Sequence, residues 1–434
     1  MITWLMPILA IGGLIFVHEL GHFWAARLMG VRVDEFSVGF PPRIFSKKIG
    51  HTRYSLGIIF LGGFVKLRGQ NLDDEDPTKA DNYAAKSKLA RLFIIAAGPA
   101  INLALAFILM PIAYKIGFPE PTYLSNPPII EEVLVGSLAE QAGFKSGEQI
   151  ISVNDEFVGS WREFSDEIAK AKDSPINVKL SSISSAGSFV REIEFSPSPR
   201  STVDGFGLSP LVLPVIGQMI SGWPAKQVGF MIGDKILKID EIDVATLAQL
   251  SKEIQKKQGS LANYTLERSV DGSFSIINIK AAAKLDEKAM VWRLGFFTPN
   301  TKVTYSWSES INLGVARVIN LGRALLTFFN KLFHNQVSKN EVGGPIMIVK
   351  AMGEAAEKGF SYFIILTAFI SFQLGIFNLL PLPVLDGGHI AFLGYELVAG
   401  KQPSVKFRYG IQLVSVVLLL GLMLFITIQD ILNF

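Results

Sequence analysis

Four long apolar segments alternate with polar stretches along this chain of 434 residues. They cover residues 1–26, 92–114, 360–385 and 410–429. A helix of about 20 apolar residues is long enough to cross the hydrocarbon layer of a bilayer. The pattern therefore predicts an α-helical membrane protein with four spans, whose largest polar region lies between the second span and the third.

The polar stretch between the first two spans is basic. Its Lys and Arg residues are Arg32, Arg43, Lys47, Lys48, Arg53, Lys66, Arg68, Lys79, Lys86 and Lys88. An excess of Lys and Arg in a short loop marks the cytoplasmic side of a membrane. The first span is therefore expected to run from the outside inward.

Within this basic stretch, residues 54–67 are apolar, β-prone and interrupted by Gly62 and Gly63. The segment is too short and too broken to span a bilayer. Non-helical backbone at membrane depth survives only where protein or a cavity covers it. We therefore predict a re-entrant, membrane-embedded β-hairpin that dips toward the interior of the protein. An ordinary hairpin at the membrane surface is the alternative.

The second span carries Gly98-Pro99 and Asn102, which are awkward on a helix that faces lipid. Small residues and an amide are better placed against a neighbouring helix. A kink that serves packing alone is the alternative explanation.

The region between spans two and three contains an internal repeat. Residues 139–150 line up with residues 225–236, and the following pairs are identical: Ala139/Ala225, Gln141/Gln227, Gly143/Gly229, Phe144/Phe230, Gly147/Gly233 and Ile150/Ile236. A repeat of this size predicts two tandem α+β domains, placed at 118–203 and 204–290.

The repeated pattern resembles PDZ domains, which bind a peptide as an extra strand at a sheet edge. Each copy runs on into a short strand and a polar helix, predicted at 161–171 and 247–257. Residues 205–208 are expected to form the loop that holds a peptide carboxylate in the second copy, and no comparable loop is clear before the first. Both copies could instead be steric spacers without a peptide ligand.

Residues 291–358 are predicted to link the repeats to the third span. From Ser306 to Asn335, apolar residues recur at helical spacing among charged ones. This pattern predicts an amphipathic helix that lies along the bilayer surface. Packing beneath the second repeat is the competing explanation.

Composition narrows the function classes. Hydrophobic residues make up 49% of the chain and the mean hydropathy is +0.37, which suits a membrane protein with a polar domain. A net charge of +3 gives no reason to expect a nucleic-acid partner. Cysteine is absent, so any metal must be held by nitrogen and oxygen ligands. The N-terminus lacks a positive segment and a small-residue cleavage site, so the first span is expected to be retained.

The second half of the first span contains the sequence His18-Glu19-Leu20-Gly21-His22. Residues four apart share one face of a helix, so the two imidazoles can bind a single tetrahedral ion. Glu19 lies one step round the helix, where it can accept a proton from water that the ion acidifies. Ionisable groups are costly at membrane depth and are functional there by default. The motif predicts a catalytic metal site, and polar groups that merely pair with one another are the alternative.

The end of the third span is interrupted by Pro381 and Pro383, each of which removes a backbone donor. The chain is expected to unwind there, close to Asp386. If spans one and three both run inward, Asp386 lies at the depth of the two His and is the best candidate for the third protein ligand of a catalytic zinc. His389 is a weaker rival. Asn378 could bond to the substrate backbone, to a developing oxyanion or to another helix.

Taken together, these motifs resemble the site-2 protease family of zinc intramembrane metalloproteases. The resemblance rests on H-E-L-G-H in the first span, G-P-x-x-N in the second, the paired repeats, and N-x-x-P-x-x-x-x-D-G at 378–387. It covers nearly the whole chain, and the organisation is most similar to that of bacterial members with two PDZ domains.

The resemblance implies a role for each candidate residue. His18, His22 and Asp386 would bind Zn²⁺, and Glu19 would be the general base. Asn378 would hold the substrate strand, and a loop with Gly62 and Gly63 would extend the substrate for cleavage.

The resemblance also implies a substrate and a location. The substrate would be a single-span membrane protein, such as an anti-sigma factor already shortened by another protease or a remnant signal peptide, cut in an envelope stress response. The protein would lie in a bacterial inner membrane, with periplasmic PDZ domains that screen substrates by size and an active site toward the cytoplasm. The rival from another class is a membrane-tethered PDZ adaptor with an inactive metal site. The intact motif residues argue against it.

Overall fold

The apolar helices and the polar repeats separate into two units in the computed structural model. A membrane unit comprises Met1–Phe118 and Val303–Phe434, and a repeat unit comprises Pro119–Lys302. The structure describes residues 2–70, 79–171, 174–184, 187–196, 206–220, 222–270, 272–287, 289–334 and 343–432.

The repeat unit is inserted into the chain between the two parts of the membrane unit. The helices are α1 (Ile2–Leu28), α2 (Lys88–Gly117), α3 (Leu138–Ala142), α4 (Trp161–Ala171), α5 (Pro224–Gln227), α6 (Leu247–Lys257), α7 (Trp307–Phe333), α8 (Pro345–Lys358), α9 (Phe360–Asn378), α10 (Asp386–Ala399) and α11 (Val405–Leu432). The strands are β1 (Val33–Ile49), β2 (Thr52–Leu67), β3 (Phe118–Pro121), β4 (Ile130–Val133), β5 (Gln149–Val153), β6 (Glu156–Phe157), β7 (Ile176–Ser184), β8 (Gly187–Phe195), β9 (Leu208–Pro210), β10 (Lys235–Ile239), β11 (Ile242–Asp243), β12 (Leu261–Val270), β13 (Ser273–Ala282), β14 (Lys284–Asp286), β15 (Val291–Arg293) and β16 (Asn300–Val303).

Among the described residues, four helices have the length and apolar composition needed to cross a membrane: α1, α2, α9 and α11. They correspond to the four predicted spans. The third ends at Asn378, and a new helix starts only at Asp386, so the predicted interruption around Pro381 and Pro383 is confirmed. A proline cannot donate to the preceding turn, which explains why regular helix stops here.

The apolar segment at 54–67 is a single strand and not a hairpin by itself. It lies within β2, which pairs antiparallel with β1 from Val33↔Leu67 to Ile49↔Thr52. The prediction of a hairpin was therefore right in type but wrong in extent, because β1 was missed. Phe36 of β1 packs edge-on against Phe23 of α1 at a ring distance of 5.4 Å, which ties the hairpin to the first span.

The predicted amphipathic helix exists as α7, and Ser306 and Glu309 cap its start reciprocally. Its buried face packs on α2 and α9, where Val318 joins a core with Met110 and Phe372. That face is therefore covered by spans, whereas Ile311, Ile319 and Leu326 of the same helix remain exposed. The placement of this helix along a bilayer surface stays a prediction. Helix α8 was not predicted from the sequence. Its start is capped by Asp430 of α11, which accepts from the backbone N–H of Gly344 at 2.9 Å.

The two repeats have the same architecture, which confirms the internal duplication. Each contains a four-stranded antiparallel sheet, in the orders β6-β5-β7-β8 and β11-β10-β12-β13. The predicted helices at 161–171 and 247–257 are α4 and α6. The shared Ile150 and Ile236 are fully buried in their respective cores. The likeness to PDZ domains stays a prediction.

The predicted boundaries of the repeats are wrong, because the core of each repeat is completed by residues from further along the chain. Phe206 and Leu208 pack in the core of the first repeat, where β9 pairs with β4. The 205–208 loop was assigned to the second repeat, but its described residues 206–208 belong to the first. Gly205 lies outside the described residues. Leu294, which directly follows β15, packs in the core of the second repeat. Residues 291–302 therefore belong to the repeat unit and not to a linker.

Candidate metal centre

The two histidines of α1 present their Nε2 atoms to one point. They are four residues apart on one helix face, and their Nε2 atoms lie 3.3 Å apart. His18 is buried, and the side chain of His22 is only 12% exposed. Nδ1 of His22 lies 2.9 Å from the backbone oxygen of Ile94 in α2. A carbonyl oxygen can only accept, so Nδ1 of His22 carries the proton and its Nε2 lone pair is free to bind a cation.

Asp386 reaches the same point from the other end of the chain. It is the first residue of α10, and its Oδ2 lies 3.2 Å from Nε2 of His18 and 3.4 Å from Nε2 of His22. The preceding segment folds back closely on this helix start. A Cβ at Gly387 or Gly388 would collide with the backbone oxygen of Leu380 or Leu382, so the two glycines permit the close approach.

The donor set fits zinc. In a tetrahedral site with metal–ligand distances of about 2.0–2.1 Å, neighbouring ligand atoms lie about 3.3–3.4 Å apart. The three observed separations are 3.2, 3.3 and 3.4 Å. Two nitrogens and one carboxylate oxygen make up the set, which leaves the fourth corner open, as in catalytic zinc sites. Within the described residues, His18, His22 and Asp386 form a cluster whose ligand atoms all lie within 4.8 Å of one another, as a shared metal ion requires.

The cluster opens into a cavity of about 280 Å³. Among its wall residues are His18, Glu19, His22, Gly63, Asn378, Asp386 and His389. Glu19 is buried, and a Cβ at Gly63 would lie 2.9 Å from its Cγ, so strand β2 approaches Glu19 closely. The other predicted glycine, Gly62, instead packs on the ring of Phe40. His389 lines the cavity without joining the ligand cluster.

One face of α2 is shaped to hold the two imidazoles. A Cβ at Gly98 would collide with the ring of His22, and Asn102 is fully buried with its amide 3.3 Å from Nδ1 of His18. The expectation that Gly98 and Asn102 face a neighbouring helix is confirmed. The carbonyl of Ile94 could not be predicted from the sequence, because every residue type carries a backbone acceptor.

A buried ion pair links the helices that carry these groups. Nη2 of Arg91 in α2 lies 2.7 Å from Oε1 of Glu396 in α10. Nζ of Lys88 donates to the backbone oxygen of Glu396 at 2.9 Å. These contacts join α2, which packs against the imidazoles of α1, to α10, which begins with Asp386.

Comparison with known proteins adds evidence from outside the structure. The family described as peptidase family M50 matches residues 6–422. The regulator of sigma E protease of Haemophilus influenzae is 32% identical over 446 residues, which cover 98% of this chain and 98% of the relative. A Pasteurella multocida protein named as a zinc metalloprotease has the same identity and coverage. The regulator of sigma-E protease of Salmonella typhimurium is 30% identical over 96% of each chain. All three relatives match along almost their full length.

Proposed function

The chain belongs to peptidase family M50 and is a zinc metalloprotease, and from this we propose that it hydrolyses a peptide bond inside the membrane-spanning segment of its substrate. The proposal rests on the positions of the three candidate metal ligands relative to the membrane spans. His18 and His22 lie within one apolar helix, and Asp386 lies eight residues beyond the end of another. A substrate bond that reaches this cluster must pass between the spans.

The substrate class that we propose is a single-span membrane protein. An anti-sigma factor already shortened by another protease and a remnant signal peptide are the two candidates, within an envelope stress response. The names of the Haemophilus influenzae and Salmonella typhimurium relatives, which refer to sigma E, support the first candidate. A pre-shortened substrate suits a cavity of about 280 Å³, which has room for a peptide strand but not for a folded domain.

Glu19 is the proposed general base. Zinc, when bound, supplies a Lewis acid that acidifies water and polarises a carbonyl group. Glu19 lines the same cavity as the ligands, where its carboxylate can take the proton of the attacking water and deliver it to the departing amine. Burial by α1 and β2 excludes bulk water from this transfer. Asn378 donates from its amide to the substrate backbone or to the developing oxyanion.

Strand β2 is the proposed support for an unwound substrate. A helix keeps its carbonyls in internal hydrogen bonds, so the substrate must become extended before attack, and its freed backbone groups need partners. In the described sheet β2 pairs only with β1, and its residues 63–65 line the cavity. An added substrate strand would meet the ligand cluster there. In this role Gly63 allows close approach, and Gly62 holds the strand against Phe40.

The proposed location is a bacterial inner membrane with the catalytic cavity toward the cytoplasm. The basic stretch between the first two spans supports this orientation. It places the repeat unit on the periplasmic side. There the PDZ-like repeats either bind peptide C-termini or screen substrates by the size of their outer portion.

The test uses purified full-length protein in lipid vesicles and a single-span reporter with a tag at each end. We expect cleavage within the reporter's apolar segment, located by mass spectrometry. A zinc chelator should abolish it, added zinc should restore it, and His22→Ala should remain inactive under both conditions. If mass spectrometry places every cut outside the apolar segment of the reporter, intramembrane hydrolysis is refuted. The assignment as a metalloprotease would remain.

A further inference from the structure

The side chain of Asn102 raises a hydrogen-bonding problem beside the metal centre. It is fully buried, and its Nδ2 lies 3.3 Å from Nδ1 of His18. Its Oδ1 is also buried, and no described residue donates to it. An unsatisfied buried oxygen costs about 1–3 kcal/mol, so this arrangement is unfavourable unless the amide serves another purpose.

The orientation of the amide decides which nitrogen of His18 can bind a cation. With Nδ2 toward the ring, Nδ1 must accept and Nε2 must carry the proton, which removes His18 as a ligand. A half-turn of the amide exchanges its oxygen and nitrogen. Oδ1 then accepts from a protonated Nδ1, and the lone pair of Nε2 points toward His22 and Asp386. The same half-turn gives the buried oxygen its missing partner.

The two histidines then receive matching support from one face of α2. Ile94, Gly98 and Asn102 are four residues apart, so they form one stripe along the helix. The carbonyl of Ile94 accepts from Nδ1 of His22, Gly98 leaves room for its ring, and the amide of Asn102 serves His18. Ser371 of α9 donates to the backbone oxygen of Asn102 at 2.8 Å, which holds this part of the stripe in place.

We infer that Asn102 is a positioning residue for zinc, whose Oδ1 accepts the Nδ1 proton of His18 and so fixes the tautomer and ring orientation that zinc binding requires. Such partners of metal-ligating histidines typically contribute 10–100-fold to metal affinity. The inference rests on the proposed ligand set and is independent of the substrate.

The first test measures the zinc dissociation constant of full-length protein by competition with a chromogenic chelator, alongside the melting temperature. Asn102→Leu removes the acceptor at similar volume and should weaken zinc binding about 10–100-fold. Asn102→Asp keeps an acceptor oxygen and should stay within about threefold of the parent protein. Met110→Leu, an equally buried change on the same helix, should leave zinc affinity unchanged.

An unchanged zinc affinity in a folded Asn102→Leu protein would overturn the inference. So would equal losses in the Leu and Asp variants, since a purely structural role predicts no rescue by an acceptor. Failure of the parent protein to bind zinc would instead refute the ligand set itself. The two failures are therefore distinguishable.

A second measurement needs no variant and decides the matter if Asn102→Leu does not fold. Nitrogen NMR of zinc-loaded protein labelled at histidine reports which ring nitrogen carries the proton. We expect a protonated Nδ1 and a metal-bound Nε2 on both His18 and His22. A His18 that is protonated at Nε2, or bound through Nδ1, would contradict the role of Asn102.

Discussion

Arg91 and Glu396 form a buried ion pair across 2.7 Å, although they are 305 positions apart in the sequence. Arg91 lies one helical turn before the carbonyl of Ile94 that holds His22. Glu396 lies on the helix that begins with Asp386. The pair therefore joins α2, which contacts the two imidazoles, to α10, which begins with Asp386.

Breaking this pair should destabilise the membrane unit. Arg91→Met leaves the Glu396 carboxylate buried without its partner, which typically costs about 3–5 kcal/mol. We expect a lower melting temperature and reduced zinc content, with partial recovery in the double variant Arg91→Met/Glu396→Gln. Lys170→Met, which removes an exposed ion pair with Glu167, is the control and should melt like the parent protein. Equal melting of Arg91→Met and the control would contradict this role.

Glu19→Gln should separate catalysis from metal binding. The amide preserves the shape of the side chain but cannot accept a proton, so cleavage of the reporter should fall at least 100-fold, within the range of about 10²–10⁴ that general bases contribute. Zinc content and melting temperature should stay at the level of the parent protein. The control is Glu354→Gln, on an exposed position of α8. Persistent turnover by purified Glu19→Gln protein would refute the role of general base.

Gly98→Ala should displace an imidazole. The new methyl group would collide with the ring of His22, so zinc affinity should fall by an amount comparable to the loss of a supporting residue, about 10–100-fold. Gly12→Ala on α1 is a matched control, since a Cβ there has no atom within 4 Å among the described residues. A chelator competition assay measures both. Unchanged zinc affinity in Gly98→Ala would show that zinc binding does not depend on the contact between His22 and Gly98.

Gly63→Ala should impair cleavage without removing zinc. Its Cβ would lie 2.8 Å from the backbone oxygen of Ser37 and 2.9 Å from Cγ of Glu19, so either β2 or the general base must shift. Misplacing a catalytic group by about 1 Å can cost about 100-fold, so kcat should fall by that order. Gly394→Ala, which meets nothing within 4 Å in the described structure, is the control. Normal kcat in Gly63→Ala would argue against close approach of β2 to the reacting groups.

The four spans and the clustering of His18, His22 and Asp386 were predictable from local sequence rules. Helical spacing places His18 and His22 on one face, and the two prolines free Asp386 from regular helix. Strand β1 was missed because its sequence mixes charged residues with Pro41-Pro42, which gives no clean alternation.

The remaining errors come from contacts between distant parts of the chain. The repeated sequence pattern ends before the folded repeat does, because Phe206 and Leu294 pack in the two cores from further along the chain. The Arg91–Glu396 pair joins positions that no local pattern relates. The amide of Asn102 was recognised as facing another helix, whereas its partner was apparent only in three dimensions.

The return of the chain to complete the metal site has a consequence for biosynthesis. Two ligands emerge early from the ribosome, and the third emerges only after both repeats and the third span have been made. A nascent polypeptide thus carries two of the three clustered side chains, His18 and His22, through most of its translation. With His18, His22 and Asp386 as the metal ligands, proteolytic competence would therefore arise only after Asp386 has been synthesised and packed against the first span.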